Sequence, residues 1–185
     1  AGSVKQHKNK SAEVAWILDA NEGQMRHKAY RPQGAYEPNE AELELLEHIS
    51  DDLTLLFPPT LAGLFKEICD RNISLVGPQE EMESDIREAC TLATEVLGFQ
   101  VSPGRVRRTI SRLIQNKGRD MVSTMLICSD TFGLSDAPTY YTCPRISDLQ
   151  QLYLEVTCEA FSDDCWKLPV SEDRVGARLL VKPGI

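Results

Sequence analysis

Apolar residues recur every three or four positions along most of this chain, in segments that prolines separate. This spacing places the apolar side chains on one face of a helix. Proline interrupts a helix because it lacks a backbone N–H and its ring clashes with the preceding turn. The pattern therefore predicts a mostly α-helical protein, a single compact domain of about five to six helices.

The first predicted helix begins at Asn39 and extends to the prolines at positions 58 and 59. Asn39 and Glu42 form a capping-box pattern, in which two side chains satisfy backbone N–H groups at the start of a helix. The apolar residues that follow at helical spacing are Leu43, Leu46, Ile49, Leu53 and Leu56.

Four further segments carry helical stripes, at 61–68, 82–97, 106–114 and 149–160. Ser102 and Pro103 predict the start of the third of these helices, because serine caps helices and proline is favoured at the first helical position. We expect its apolar residues to face the core. Ser147 and Gln150 form a second capping-box pattern, which predicts the start of the last helix.

Two regions depart from the helical pattern. Residues 121–128 and 177–182 are apolar but not clearly periodic, and we interpret them as a possible short strand pair. Residues 1–38 are predicted to be a basic, partly flexible N-terminal arm, because residues 1–36 carry six basic and three acidic residues and the segment ends in a stretch rich in proline and glycine. We expect 39–185 to form one domain, since 185 residues suit a single domain. The apolar island 14–18 either packs on this domain or binds a partner.

Nothing in the sequence predicts a membrane segment or a secretion signal. No apolar run approaches the ~18 residues that a membrane helix needs, and no apolar segment follows the basic N-terminus as in a signal peptide. The six cysteines are not spaced as a disulfide framework. We therefore expect an intracellular protein, cytoplasmic or nuclear, with free thiols.

Charge is unevenly distributed along the chain, whose net charge is −8. Residues 37–95 contain fifteen acidic and three basic residues, whereas residues 96–122 contain six basic residues and one acidic residue. The predicted helices before and after residue 100 therefore have opposite charge.

The basic residues of the predicted helix 103–119 form one stripe. Arg105, Arg108 and Arg112 are spaced i, i+3 and i+7 and share a face, and Lys117 and Arg119 extend the charge past them. This stripe is either a solvated outer face, a binding site for an acidic protein, or a binding site for nucleic acid. Guanidinium groups in a row suit carboxylates or phosphates, which they bind through paired hydrogen bonds.

Catalytic patterns are absent from the sequence. It has no phosphate-binding loop, no nucleophile elbow and no dinucleotide-binding fingerprint, and its three histidines are far apart. Residues 92–113 have the outline of a helix-turn-helix, but the turn is longer than in that motif and the first helix is acidic. We expect no enzyme activity, no cofactor and no metal.

These observations favour a non-catalytic protein–protein interaction or self-assembly module, a scaffold that uses its acidic and basic helix faces. The alternative is a nucleic-acid-binding domain that uses the arginine-rich helix and the basic arm. In both hypotheses the binding residues are Arg105, Arg108, Arg112, Lys117 and Arg119.

Overall fold

A computed structural model describes residues 17–19, 21–31, 34–71, 79–129, 135, 137–178 and 180–182. Within this part of the chain the protein has six α-helices and two small β-sheets. The fold is therefore mixed α/β, and the prediction of a mostly helical protein is wrong.

The larger sheet has three antiparallel strands, β1 (Ile17–Asp19), β2 (Gln24–Lys28) and β4 (Asp52–Leu56), in the order β1-β2-β4. The smaller sheet pairs β3 (Ile49–Ser50) in parallel with β5 (Arg174–Val175). The chain segment around residue 50 thus joins elements from near both ends of the chain.

One face of the larger sheet contributes to the core. Leu53 and Leu55 are fully buried, and His27 lies opposite Leu53 in the β2–β4 register. The other face carries polar groups, among them Lys28 and Asp52, whose charged atoms lie 2.9 Å apart. Such alternation is typical of an antiparallel sheet with one face toward the core and one toward solvent.

The six helices are α1 (Glu40–Leu43), α2 (Pro59–Asp70), α3 (Gln79–Leu97), α4 (Pro103–Gly118), α5 (Met121–Cys128) and α6 (Ile146–Phe161). A 3-10 turn covers Ala137–Tyr140. Helices α4, α5 and α6 pack on one another, and α6 covers β4. The buried core cluster consists of Leu53, Leu55, Phe57, Ile114, Val122, Leu126, Ile127, Leu149, Tyr153, Val156 and Val175. None of the helices among the described residues has the length and apolar character needed to cross a membrane.

The first predicted helix is much shorter than expected. Its capping box is confirmed, with the Glu42 N–H donating to Asn39 Oδ1 at 3.0 Å and the Asn39 N–H donating to Glu42 Oε2 at 2.8 Å. The helix nevertheless ends at Leu43, and residues 49–56 form strands. Burial explains the difference, because Leu53 and Leu55 alternate inward as in a strand, and pairing with β2 satisfies their backbone.

The predicted strand pair near 121–128 and 177–182 is also wrong. Residues 121–128 form α5, which begins where the Asp120 carboxylate accepts from the N–H groups of Val122 and Ser123 at 3.0 and 2.9 Å. Val181 makes an isolated antiparallel bridge to Leu46 instead. A short apolar run does not distinguish a buried helix from a strand, and the cap at Asp120 was the distinguishing feature.

Part of the segment predicted as a basic arm belongs to the larger sheet. Strands β1 and β2 both lie before residue 38, and Leu18 packs against the core. Residues 1–16, which hold the lysines of that segment before position 28, lie outside the described residues.

Helix starts were predicted with mixed success. Ser102 caps α4 as expected, accepting from the Arg105 N–H at 3.3 Å. The capping box predicted at Ser147 is wrong, since α6 begins after Arg145 and Ser147 Oγ donates instead to the Ser171 carbonyl at 3.2 Å. That bond ties the start of α6 to the segment that leads into β5.

Candidate interaction surface

Helix α4 presents three faces, and the first of them is buried. Ser111 and Ile114 are the buried residues of this helix. Gly118 lies on the same side, where an added Cβ would lie 2.7 Å from Leu152 Cδ2 of α6. This face anchors α4 to α5 and α6.

The second face carries the predicted arginine stripe. Arg105, Arg108 and Arg112 are all exposed, as expected from their i, i+3, i+7 spacing. Arg105 donates to the Gln100 carbonyl, and Arg108 Nε donates to the Gly104 carbonyl at 3.0 Å. In the described part of the chain no carboxylate pairs with any of the three. The stripe is thus a positive surface whose guanidinium groups form no ion pair with any described carboxylate.

The other two predicted binding residues, Lys117 and Arg119, lie at the C-terminal end of α4 and make contacts of their own. Lys117 lies 3.3 Å from Glu159 of α6, so it stabilises the contact between α4 and α6. Arg119 ends α4 in the left-handed conformation, with φ of 51°, and its N–H donates to the Gln115 carbonyl. Its backbone therefore has a structural role at the helix end.

The third face of α4 is apolar and exposed, which differs from the sequence-based expectation. Val106, Ile110 and Leu113 were expected to face the core, yet each is about half exposed, with Ile110 at 44%. At 100° per residue they lie beside the buried face. On this side of α4 the buried core ends at Ile114, so the stripe of Val106, Ile110 and Leu113 lies outside the core.

Helix α3 adds more exposed apolar surface. It contacts chiefly α4, and its C-terminal end is tied to the connecting turn by the Val101 N–H, which donates to Thr94 Oγ1 at 2.8 Å. Val96 is 84% exposed and Phe99, just past the helix, is 53% exposed. Other large apolar side chains of α3 that are exposed are Ile86, Leu92 and Leu97.

The polar side chains of α3 are mostly acidic. From residue 83 on, the helix carries Glu83, Asp85, Glu88 and Glu95 against a single basic residue, Arg87. Arg87 lies 3.0 Å from Glu83, one turn away, and that pair is neutral. Helices α3 and α4 therefore form a hairpin with one acidic arm, one basic arm and exposed apolar residues on both. We call this surface the α3–α4 face.

A contact between His27 and Ser129 was not foreseen from the sequence. Ser129 Oγ lies 2.6 Å from His27 Nδ1, and the same nitrogen lies 2.8 Å from the Lys28 carbonyl. A carbonyl oxygen accepts only, so Nδ1 carries a proton and is not placed to remove one from Ser129. Burial lowers the pKa of His27, which keeps the ring neutral. The pair links β2 to the end of α5.

Two cysteines are held as thiols by their surroundings. Burial raises the pKa of Cys128 to about 11, and burial together with the neighbouring Cys165 raises the pKa of Cys158 to about 11. Nucleophilic cysteines require a lowered pKa, so neither thiol is activated. Among the described residues there is no group of three or more histidine, cysteine or carboxylate side chains that could hold a metal ion.

Sequence reasoning identified the charges of the α3–α4 face but not its apolar part. The signal was present in α3, where Leu92 widens the apolar stripe that includes Ile86, Ala93, Val96 and Leu97. A helix with so broad an apolar face needs more cover than one neighbour provides. No protein-family model matches the chain, and no curated protein and no solved structure matches it at a significant level.

Proposed function

We propose that this chain is a protein–protein interaction module that associates with a second copy of itself through the α3–α4 face. The observation that carries the proposal is the exposed apolar surface of the hairpin. Monomeric proteins rarely expose extended apolar patches, and such patches commonly mark contact sites. Val106, Ile110 and Leu113 are spaced i, i+4 and i+7, the seam spacing of packed helices.

Charge complementarity favours a second copy as the occupant. Two α3 helices placed side by side would repel each other, and so would two α4 helices. Placing α3 of one copy against α4 of the other brings Glu88 and Glu95 toward the basic stripe of Arg105, Arg108 and Arg112. A two-fold axis satisfies this pairing twice, as in other symmetric dimers. The result is a four-helix bundle with an apolar centre and charged edges.

The test is sedimentation of the wild type and two variants over a range of concentrations. Ile110→Glu places a charge in the apolar seam, and we expect it to be monomeric where the wild type is dimeric. Leu64→Glu is the matched control, because Leu64 is a similarly exposed apolar residue on α2, outside the α3–α4 face. We expect this control to dimerise. Thermal melts should show that both variants fold, since neither residue is buried.

A triple variant tests the charges. Replacing Arg105, Arg108 and Arg112 by Gln should weaken dimerisation while leaving the fold intact, because exposed charges contribute less than ~1 kcal/mol each to stability. The effect should shrink as salt screens the contact, over a range of about 8 Å at physiological ionic strength. A wild type that stays monomeric at every concentration refutes the proposal.

The nucleic-acid hypothesis is a distinct outcome of the same experiments. A wild type that is monomeric but binds a random oligonucleotide, with affinity falling steeply as salt rises, would assign the arginine stripe to phosphate contacts. The triple Gln variant would then lose that binding, and Ile110→Glu would retain it.

A further inference from the structure

Tyrosines are concentrated in one cleft, on a part of the molecule separate from the α3–α4 face. Of the five tyrosines in the chain, Tyr30, Tyr36, Tyr140 and Tyr141 line a cavity of about 280 Å³. The described residues that form it lie at 30–31, 34–36, 139–141 and 176–178. Loops that converge on a scaffold are the usual location of binding sites.

The cleft wall also carries two arginines. Arg31 and Arg178 line it, and none of the described residues that line it is acidic. The carboxylates that hold the two guanidinium groups lie outside the lining. Glu37 lies 2.8 Å from Arg31 and 3.0 Å from Arg178, and Asp51 lies 2.6 Å from Arg178. The two arginines are thus held in place by carboxylates, and both are among the residues that line the cleft.

The backbone around the cleft is tightly packed. Gly176 has φ of 116°, and a Cβ on it would lie 2.6 Å from the Thr142 carbonyl oxygen. The next residue, Ala177, donates its N–H to the same oxygen at 3.0 Å. A glycine is required for this approach, and it fixes the loop that carries Arg178 against the one that carries Tyr140 and Tyr141. The cleft is therefore formed before any ligand arrives.

We propose that this cleft binds a small molecule that combines a planar ring with an anionic group, of the kind that a nucleoside monophosphate represents. Tyrosine rings offer faces on which a planar ring stacks. Guanidinium groups bind phosphate or carboxylate oxygens through paired hydrogen bonds. The volume is near the lower limit for small-molecule sites, ~300–1,000 Å³, which suits one ring system with its anion rather than a polymer. This proposal is independent of self-association.

Calorimetric titration with AMP, UMP and their fragments tests the ligand chemistry. Adenosine supplies the ring without the charge, and ribose 5-phosphate and inorganic phosphate supply the charge without the ring. We expect a nucleotide to bind at least about tenfold more tightly than any fragment. The proposal is overturned if no probe binds, if adenosine binds as tightly as AMP, or if phosphate alone binds as tightly as AMP.

Two variants test the residues. Tyr141 is 81% exposed and has little role in packing, so Tyr141→Leu should fold normally and weaken nucleotide binding about fivefold or more through lost stacking. Arg178→Gln should weaken AMP more than adenosine. Arg71→Gln removes an exposed arginine elsewhere and should bind as the wild type does. If Arg178→Gln melts early, Tyr141→Leu decides, and unchanged affinity for AMP in Tyr141→Leu refutes the proposal.

Discussion

Two adjacent leucines of β4, Leu55 and Leu56, lie on opposite faces of the sheet. Leu55 is fully buried and faces the core, whereas Leu56 lies on the other face of the sheet and is partly exposed. Replacing leucine by alanine removes three carbons, worth about 0.8 kcal/mol each in lost transfer free energy. At Leu55 an unfilled cavity adds to this loss, so we expect Leu55→Ala to cost about 3–4 kcal/mol.

Leu56→Ala should cost about 1 kcal/mol, because part of that side chain already contacts water. Urea unfolding followed by circular dichroism measures both values. For a domain of this size, the larger loss corresponds to a drop of roughly 6–16 °C in Tm. In a helix over the same residues the order would be reversed, since Leu56 would lie 60° from Leu53 and Leu55 160° from it. A Leu56→Ala cost equal to or above that of Leu55→Ala refutes the strand and its register.

Two further predictions concern ties outside the core. Asp163 accepts from the Thr60 N–H at 2.9 Å and from Thr60 Oγ1 at 2.7 Å, near the start of α2. Asp163→Ala should therefore lower the free energy of unfolding by about 1 kcal/mol. The control Asp164→Ala should change that free energy little, and equal effects of the two variants would contradict the prediction. Burial holds the pKa of His27 below its unfolded value of 6.5. As pH drops below 6.5 the unfolded state therefore binds more protons than the folded state, and the free energy of unfolding falls. His27→Gln should flatten that fall, whereas His48→Gln, at an exposed position, should not; the same slope in both variants would argue against the buried neutral ring.

Local signals predicted the helices whose ends are set by neighbouring residues. Ser102 with Pro103 marked the start of α4, and Gly98, which directly follows α3, adopts φ of 70°, a conformation that favours glycine at helix ends. These interactions span a few residues and can be identified from the sequence. Gly118 is the last residue of α4, and its lack of a side chain makes room for Leu152 of α6.

The strands were not predicted, because the strands with which they pair are distant in the chain. Ile49, Leu53 and Leu56 fit a helical stripe, and Leu53, Leu55 and Phe57 fit strand alternation equally well. Pairing with β2 decides between the two, and strand preference depends on such context. The charged part of the candidate surface was predictable for the opposite reason, since a helical stripe of arginines is local. Its apolar part depends on where the core ends, which only the packed structure shows.

The pairing of β3 with β5 has a consequence for how the chain is made. A ribosome releases residues 49–56 long before Arg174 and Val175 emerge, while β2, already released, can pair with β4 at once. The larger sheet is therefore able to form earlier in synthesis than the smaller one, which waits until Arg174 and Val175 have emerged. During that interval the edge of Ile49 and Ser50 is open to strands of other nascent chains. We expect pauses in translation before Arg174 and Val175 emerge from the ribosome to increase aggregation, and pauses after they emerge to have little effect.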